Sequence, residues 1–165
     1  MDARLGRLQR AVDFERVLQQ RSRARSHWFA LHHCLGRPTA PGPRNLSTDC
    51  AQDSHRVVDE STGTTHWLGF VIPKRLARRA VTRNLIRRMG RQDFAHWLAP
   101  PPPAEPGADP LPHGLWVLRL KAPIDRQQFV SADSQALRQA LHADLLSLWR
   151  RAQTGRRAQP SESPS

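Results

Sequence analysis

Tyrosine is absent from this 165-residue chain, cysteine occurs twice, and aromatic residues make up only 6% of it. Without tyrosine, any flat surface that stacks on a ligand has to come from phenylalanine, tryptophan or histidine. Two thiols, Cys34 and Cys50, cannot build the dense staple framework of a small exported domain, so reduced cysteines are the expectation. Long apolar runs are missing as well. No stretch approaches the roughly 18 consecutive apolar residues of a membrane span, and the opening MDARLGRLQR has no apolar h-region. No membrane partner and a cytoplasmic location are therefore expected. Negative charge is scarce, with 14 Asp and Glu against 26 Lys and Arg. Asp13, Glu15, Asp49, Asp53, Asp59 and Glu60 are scattered or fall in a loop, which argues against the clustered carboxylates of a two-metal nuclease. The eight histidines form no recognisable acid and base pair. His32, His33, Cys34, Cys50 and His55 have no zinc spacing either, so no catalytic residue and no metal ligand is assigned to the protein.

What the chain does have is arginine. The net charge is +12 and the isoelectric point is near 11.6, and almost every cation is a guanidinium. That group matches phosphate bidentately and stacks on bases, so the excess points to nucleic acid rather than to a membrane surface, where lysine would serve as well. The length fits one domain with a long loop and tails.

Along the chain, Leu5, Leu8, Val12 and the run Phe14 to Leu18 predict a helix over 5–21, with Asp13 an alternative cap for a shorter one. HWFALHHCL (27–35) reads as a strand. Residues 36–65 lose all periodicity and form a long loop insertion. HWLGFVI (66–72) reads as a buried strand ended by Pro73, and a basic helix follows over about 76–98, closed by PPPP at 100–103. A proline-rich linker spans 99–113, and LWVLRL (115–120) is a third strand. A last helix runs from Ser134 to about Arg151 on a stripe of Leu137, Leu141, Leu145 and Leu148. Residues 1–152 thus form a single α+β domain with helices packed on a sheet, and 153–165 read as a disordered tail.

AVTRNLIRRMGR (80–91) is the densest cationic segment. On a helical wheel Val81, Leu85, Ile86, Met89 and Trp97 share an arc of about 160°. Arg83, Asn84, Arg87, Arg88 and Arg91 take the opposite arc. Lys74, Arg75, Arg78 and Arg79 carry the charge back to the helix start, where the backbone dipole is also positive. Like charges at i and i+4 cost a few tenths of a kcal/mol per pair. An ordinary solvated face mixes signs, whereas Lys74 to Arg91 holds eight basic residues and no acidic one. A polyphosphate ligand accounts for that pattern.

KRLARRAVTRNLIRRMGR resembles the signature of the bacterial ribonuclease P protein component: Lys74 and Arg75, Ala80, Arg83 and Asn84, then Arg87 and Arg88, with Arg91 a turn later. LQRAVDFERVL (8–18) is similar to that family's first helix, HWFALHH (27–33) to its first strand, WLGFVIPKR (67–75) to the strand entering the basic helix, and LLSLWRRA (145–152) to its closing helix. Leu85 departs from the family, which usually has an arginine there. Gly90 sits mid-helix, which costs about 1 kcal/mol relative to alanine and signals a kink or a close backbone approach.

The resemblance implies a small α/β sandwich of the ribosomal protein S5 domain 2-like kind, with an about four-stranded mixed sheet and a left-handed βαβ crossover. General experience of such connections would favour the right hand. It also implies a protein subunit of ribonuclease P, an endoribonuclease that works as an RNA–protein holoenzyme. The catalytic centre and its Mg²⁺ would belong to the RNA subunit. Lys74, Arg75, Arg78, Arg79, Arg83, Asn84, Arg87, Arg88 and Arg91 would then bind the catalytic RNA. Arg10, Phe14, Leu18 and His32 would hold the single-stranded 5′ leader of precursor tRNA, gripped by stacking beside positive charge. No obligate protein partner is expected. Taken without the resemblance, Phe14 reads as an ordinary core phenylalanine, and Trp28, Trp67, Trp116 and Trp149 read as core. Rival readings are a non-enzymatic ribosomal RNA-binding protein and a DNA-binding module using residues 76–98 as a recognition helix, which would need a partner helix just before it.

Overall fold

The computed structural model describes residues 4–39, 65–98 and 111–154. Most of the expected insertion, linker and tail, together with Cys50 and His55, lies outside the described residues. The elements are β1 (Arg4–Arg7), α1 (Ala11–Leu18), β2 (Ala24–Arg25), β3 (Phe29–Cys34), β4 (Thr65–Val71), α2 (Ala80–Leu98), β5 (Gly114–Leu120) and α3 (Gln135–Thr154). The strands form one mixed sheet in the order β1-β4-β5-β3-β2. β4 lies parallel to both β1 and β5, while β3 runs antiparallel to β5 and to β2. The α+β architecture with helices on a sheet is as expected, but five strands replace the expected four or so.

Two sequence expectations are corrected. The segment 5–21 is not one helix, because Arg4 to Arg7 pair in register with Thr65 to Leu68 as an edge strand. Only Ala11–Leu18 is helical, and Asp13 sits inside its first turn, where a carboxylate suits the dipole. Arg10 holds the N-cap position, and its side chain does not cap the helix. The basic helix starts at Ala80 rather than at Leu76. Leu76 and Ala77 instead close a turn, both donating backbone N–H bonds to the Pro73 carbonyl.

Strand alternation divides the side chains between the two faces. His66, Leu68 and Phe70 of β4, Trp116, Leu118 and Leu120 of β5, and Phe29 and Leu31 of β3 point toward α2 and α3. There Leu137, Leu141, Leu145, Leu148 and Trp149 of α3, all buried, meet Leu85, Ile86 and Phe94 of α2. Phe94 lies 5.6 Å from Trp116 and 5.0 Å from Trp149, ring centre to ring centre. α3 is capped by Ser134, whose Oγ accepts the Leu137 N–H at 3.2 Å. It is tied to the sheet by Asp144, which accepts bonds from Ser26 Oγ and from the His27 and Trp28 amides. The opposite face carries Trp67, Gly69 and Val71 of β4, Leu115 and Val117 of β5, and Cys34 of β3. Among the described residues only α1 covers it, through Phe14, Val17 and Leu18, with Leu8 from the chain just before that helix.

Candidate nucleic-acid interface

α2 and the turn leading into it present the nine expected cationic and amide positions. The inward side of the helix consists of Thr82, Leu85, Ile86, Gly90 and Phe94. Val81, assigned to the core from the wheel, is instead 53% exposed. The true core face is centred about one residue further on, because Thr82 enters the interior with its hydroxyl satisfied by the Ala132 carbonyl at 3.0 Å. Leu85 is 3% exposed and belongs to the core, so the position where relatives of the signature usually carry an arginine faces inward here. Gly90 marks a close approach. A Cβ there would stand 2.8 Å from the Phe70 ring and 3.0 Å from Leu118.

Arg83 turns back and donates to the carbonyls of Ala77 and Arg78 at 3.0 and 2.8 Å. Arg79 donates to the Val130 carbonyl, and Arg91 to the Leu5 carbonyl at 3.1 Å. Arg87 donates to Asn84 Oδ1 at 3.1 Å, which orients that amide. Lys74, Arg75, Arg78 and Arg88 are exposed. Among the described residues none of these cations has a carboxylate partner, since the ion pairs found are Arg16–Asp13, Arg138–Asp133 and His142–Asp93. Asp133 is an acid that feels the field. Its carboxyl is held below the usual range, first by its Arg138 hydrogen bond and last by the charge of Arg88. Three of the arginines therefore have their guanidinium groups fixed by backbone carbonyls, which do not neutralise them. The outcome is a positioned, uncompensated cationic surface.

The second group of expected residues gathers at α1 and the sheet face under it. Phe14 is half-buried, with its ring over Gly69, where an added Cβ would come within 2.5 Å of Cε1. Leu18 and Arg10 are half-buried as well. His32 is 8% exposed and its Nδ1 is 3.0 Å from the Gln20 carbonyl, so it braces the end of α1 against β3 and offers little ring face to a base. Asp13 is buried beneath α1, accepting the Thr39 amide at 3.0 and 3.1 Å and its hydroxyl at 2.7 Å.

Sequence reasoning missed two cations on this face. Ala30 pairs with Arg119 on one side and with Arg25 on the other, and Arg119 pairs with Val71. That row lies next to the row of Gly69, Val117 and His32 under α1, so Arg119 and Arg25 rise beside the helix. The signal was a charge inside the apolar strand LWVLRL, where Arg119 alone among the residues of β5 is exposed.

The family model described as Ribonuclease P matches residues 3–153. The chain belongs to the ribonuclease P protein family. It is similar to a Ribonuclease P protein component of Paraburkholderia xenovorans (strain LB400), 34% identical over 113 residues, covering 66% of this chain and 73% of that one. It also resembles a Ribonuclease P protein component of Azoarcus sp. (strain BH72), 30% identical over 145 residues that cover 88% and 84% of the two chains. Membership in the ribonuclease P family fits the two surfaces above, and it excludes the recognition-helix reading, since the element before α2 is the strand β4. No described helix is long and apolar enough to cross a membrane.

Proposed function

We propose that this chain is the protein subunit of ribonuclease P and assists a catalytic RNA in cutting precursor tRNA endonucleolytically, which leaves the mature 5′ end. The observation that carries this reading is the two-sided α2 of a ribonuclease P family member. Thr82, Leu85, Ile86, Gly90 and Phe94 fasten it to the sheet, while Lys74, Arg75, Arg78, Arg87 and Arg88 stand exposed. Phosphates of the catalytic RNA are the counter-charges for those groups. Each one neutralised releases condensed counterions, so docking depends steeply on salt. Asn84, oriented by Arg87, supplies a directional hydrogen bond.

The groove beside α1 holds the single-stranded 5′ leader, with Phe14 as the stacking surface and Arg10 as a neighbouring cation. A stacked base contributes about 1–3 kcal/mol. The bond-breaking chemistry resides in the RNA subunit, with its Mg²⁺, and this chain contributes docking and substrate grip. Endonuclease activity therefore belongs to the assembled ribonucleoprotein in the cytoplasm.

Reconstitution with the cognate catalytic RNA at low Mg²⁺ tests this, using precursor tRNA with and without a leader. Added protein should accelerate cleavage and favour the leader-bearing substrate, and failure on both counts refutes the proposal. Arg87→Ala combined with Arg88→Ala should weaken docking on the RNA subunit and flatten its salt dependence by roughly 0.7–0.9 of a log unit for each phosphate no longer neutralised. Phe14→Ala should weaken precursor binding and leave docking intact. Equal effects of these changes on both measurements would contradict a division into two surfaces.

A further inference from the structure

We infer that Arg119 and Arg25 form a phosphate clamp that grips the backbone of a single-stranded RNA lying in the groove beside α1. The inference rests on the proposed leader-binding role of that groove and adds to it a site of its own, built on the sheet rather than on the helix.

β5 is the central strand of five, the place where a sheet least tolerates charge. Six of its seven residues are buried and Arg119 is exposed. Among the described residues Arg119 has no hydrogen bond, ion pair or ring contact. A charge on an edge strand is commonly a guard against edge-to-edge pairing, and Arg25 on β2 taken alone fits that role. A guard explains nothing at the sheet's centre. The register then sets the two together. Arg119 and Arg25 flank the same residue, Ala30, so their backbones are two strand spacings apart, roughly 10 Å. Between them stands Ala30, buried and small, so no bulky group separates the two arginines. Arg25 is steadied by a 2.6 Å bond from Nε to Ser22 Oγ. Its strand is held from behind by Arg151, which donates to the Arg25 carbonyl at 2.7 Å.

The position of this row fixes what it meets. It lies one step beyond Gly69, on which Phe14 rests, toward the ends of the parallel strands β4 and β5. β4 leads on through Ile72 and Pro73 into Lys74 and Arg75, both exposed. A strand of RNA stacked on Phe14 thus finds its following phosphates opposite Arg119 and Arg25, and beyond them the cations that lead into the basic helix. Guanidinium groups suit this ligand because their planar fork takes two phosphate oxygens at once. The clamp reads charge and spacing, and it carries no base specificity.

The test uses the holoenzyme assembled from the full chain and its cognate catalytic RNA, with precursor tRNAs carrying a graded series of leader lengths. For the unaltered protein, affinity should climb with leader length and then level off. For Arg119→Ala, and more so for Arg119→Ala with Arg25→Ala, it should level off at a shorter leader and at about tenfold lower affinity, as for the removal of one charged hydrogen bond. The salt dependence of precursor binding should fall by roughly 0.7 of a log unit for each phosphate released. Arg119→Lys, which keeps the charge and loses the fork, should restore part of the affinity and the full salt dependence, which a merely structural role would not predict, and binding of leaderless tRNA should not change. An Arg119→Ala curve that matches the unaltered protein, while Phe14→Ala abolishes the leader preference, overturns the clamp and leaves the leader groove standing. Preserved leader preference in both variants overturns the groove and the clamp together. An equal drop for leaderless and leader-bearing substrates makes Arg119 a structural residue and also overturns the clamp.

Discussion

On one face of the sheet, α2 and α3 enclose Phe94, Trp116 and Trp149 in ring contact. On the other, the eight residues of α1 lie over a small cluster of Leu8, Val17, Leu115 and Val117, with Phe14, Leu18 and Trp67 left half in solvent. The thick face carries most of the buried core, and the charges of α2 ride on its outside. The thin face leaves Phe14 and Trp67 partly exposed and carries the two sheet arginines, Arg119 and Arg25, both exposed. One side of the sheet thus supplies rigidity and the other access, which is the division that the proposed two-surface function needs.

The comparison breaks first at Phe94. Phe94→Ala should destabilise the fold by about 3–5 kcal/mol, as a large buried aromatic does, measured by denaturant unfolding. Val17→Ala on the thin face should cost clearly less. Equal destabilisation would mean that the two faces share the stability and that α1 is no mere cover.

A smaller effect is expected from Gly69→Ala. The new methyl group would meet the Phe14 ring at 2.5 Å, forcing α1 outward at about 1–3 kcal/mol. Precursor binding should fall with little change in docking on the catalytic RNA, read by comparing the two affinities in one holoenzyme preparation. A parallel fall in both would show that the faces are mechanically coupled.

The smallest effect concerns pH and belongs to the thick face. His66 is buried there, with no partner for Nδ1 among the described residues. Burial, followed by the charges of His113 and His33, pushes its pKa down from 6.5 to about 4. His33, whose ring is tilted against Trp116 at 4.3 Å between centres, is lowered too, first by burial. The unfolded chain takes up the His66 proton near 6.5 while the fold refuses it until about 4, and His33 acts in the same direction, so stability falls as pH drops through that window and is unaffected above it. Melting curves from neutral pH downward should show this slope, and His66→Gln should flatten it. An unchanged slope in that variant would move the effect elsewhere.

The helices α2 and α3, the buried strands and the cationic surface were legible because each is written locally. The stripe of Leu137, Leu141, Leu145 and Leu148 lies within a single element, as does most of the acid-free run from Lys74 to Arg91. β1 was not legible, since RLGR is a strand only because Thr65 to Leu68 lie alongside it, and Leu5 with the following Leu8 also fits helical spacing. The wheel of α2 failed at Val81 for a related reason. Hydrophobicity ranks valine above threonine for the interior, and only the distant Ala132 carbonyl makes Thr82 the better occupant. Arg119 and Arg25 meet across Ala30 through two strand pairings, so no local pattern could have joined them. His32 was identified by position and not by environment, and the Gln20 carbonyl gives it a bracing role that its place in the strand did not reveal.

The Thr82 hydroxyl has a further consequence for α2, as an index mark against rotation. A helix held only by apolar side chains can turn about its axis by exchanging one leucine for another at modest cost. Here a turn of one residue, about 100°, would strand a buried hydroxyl at roughly 1–3 kcal/mol and swing Arg83 toward the sheet. That hydrogen bond to the loop before α3 joins the close approach at Gly90 and the ring contacts of Phe94 in setting the angular address of the arginines on α2, and a polyanion that fits the surface meets the same array of charges each time.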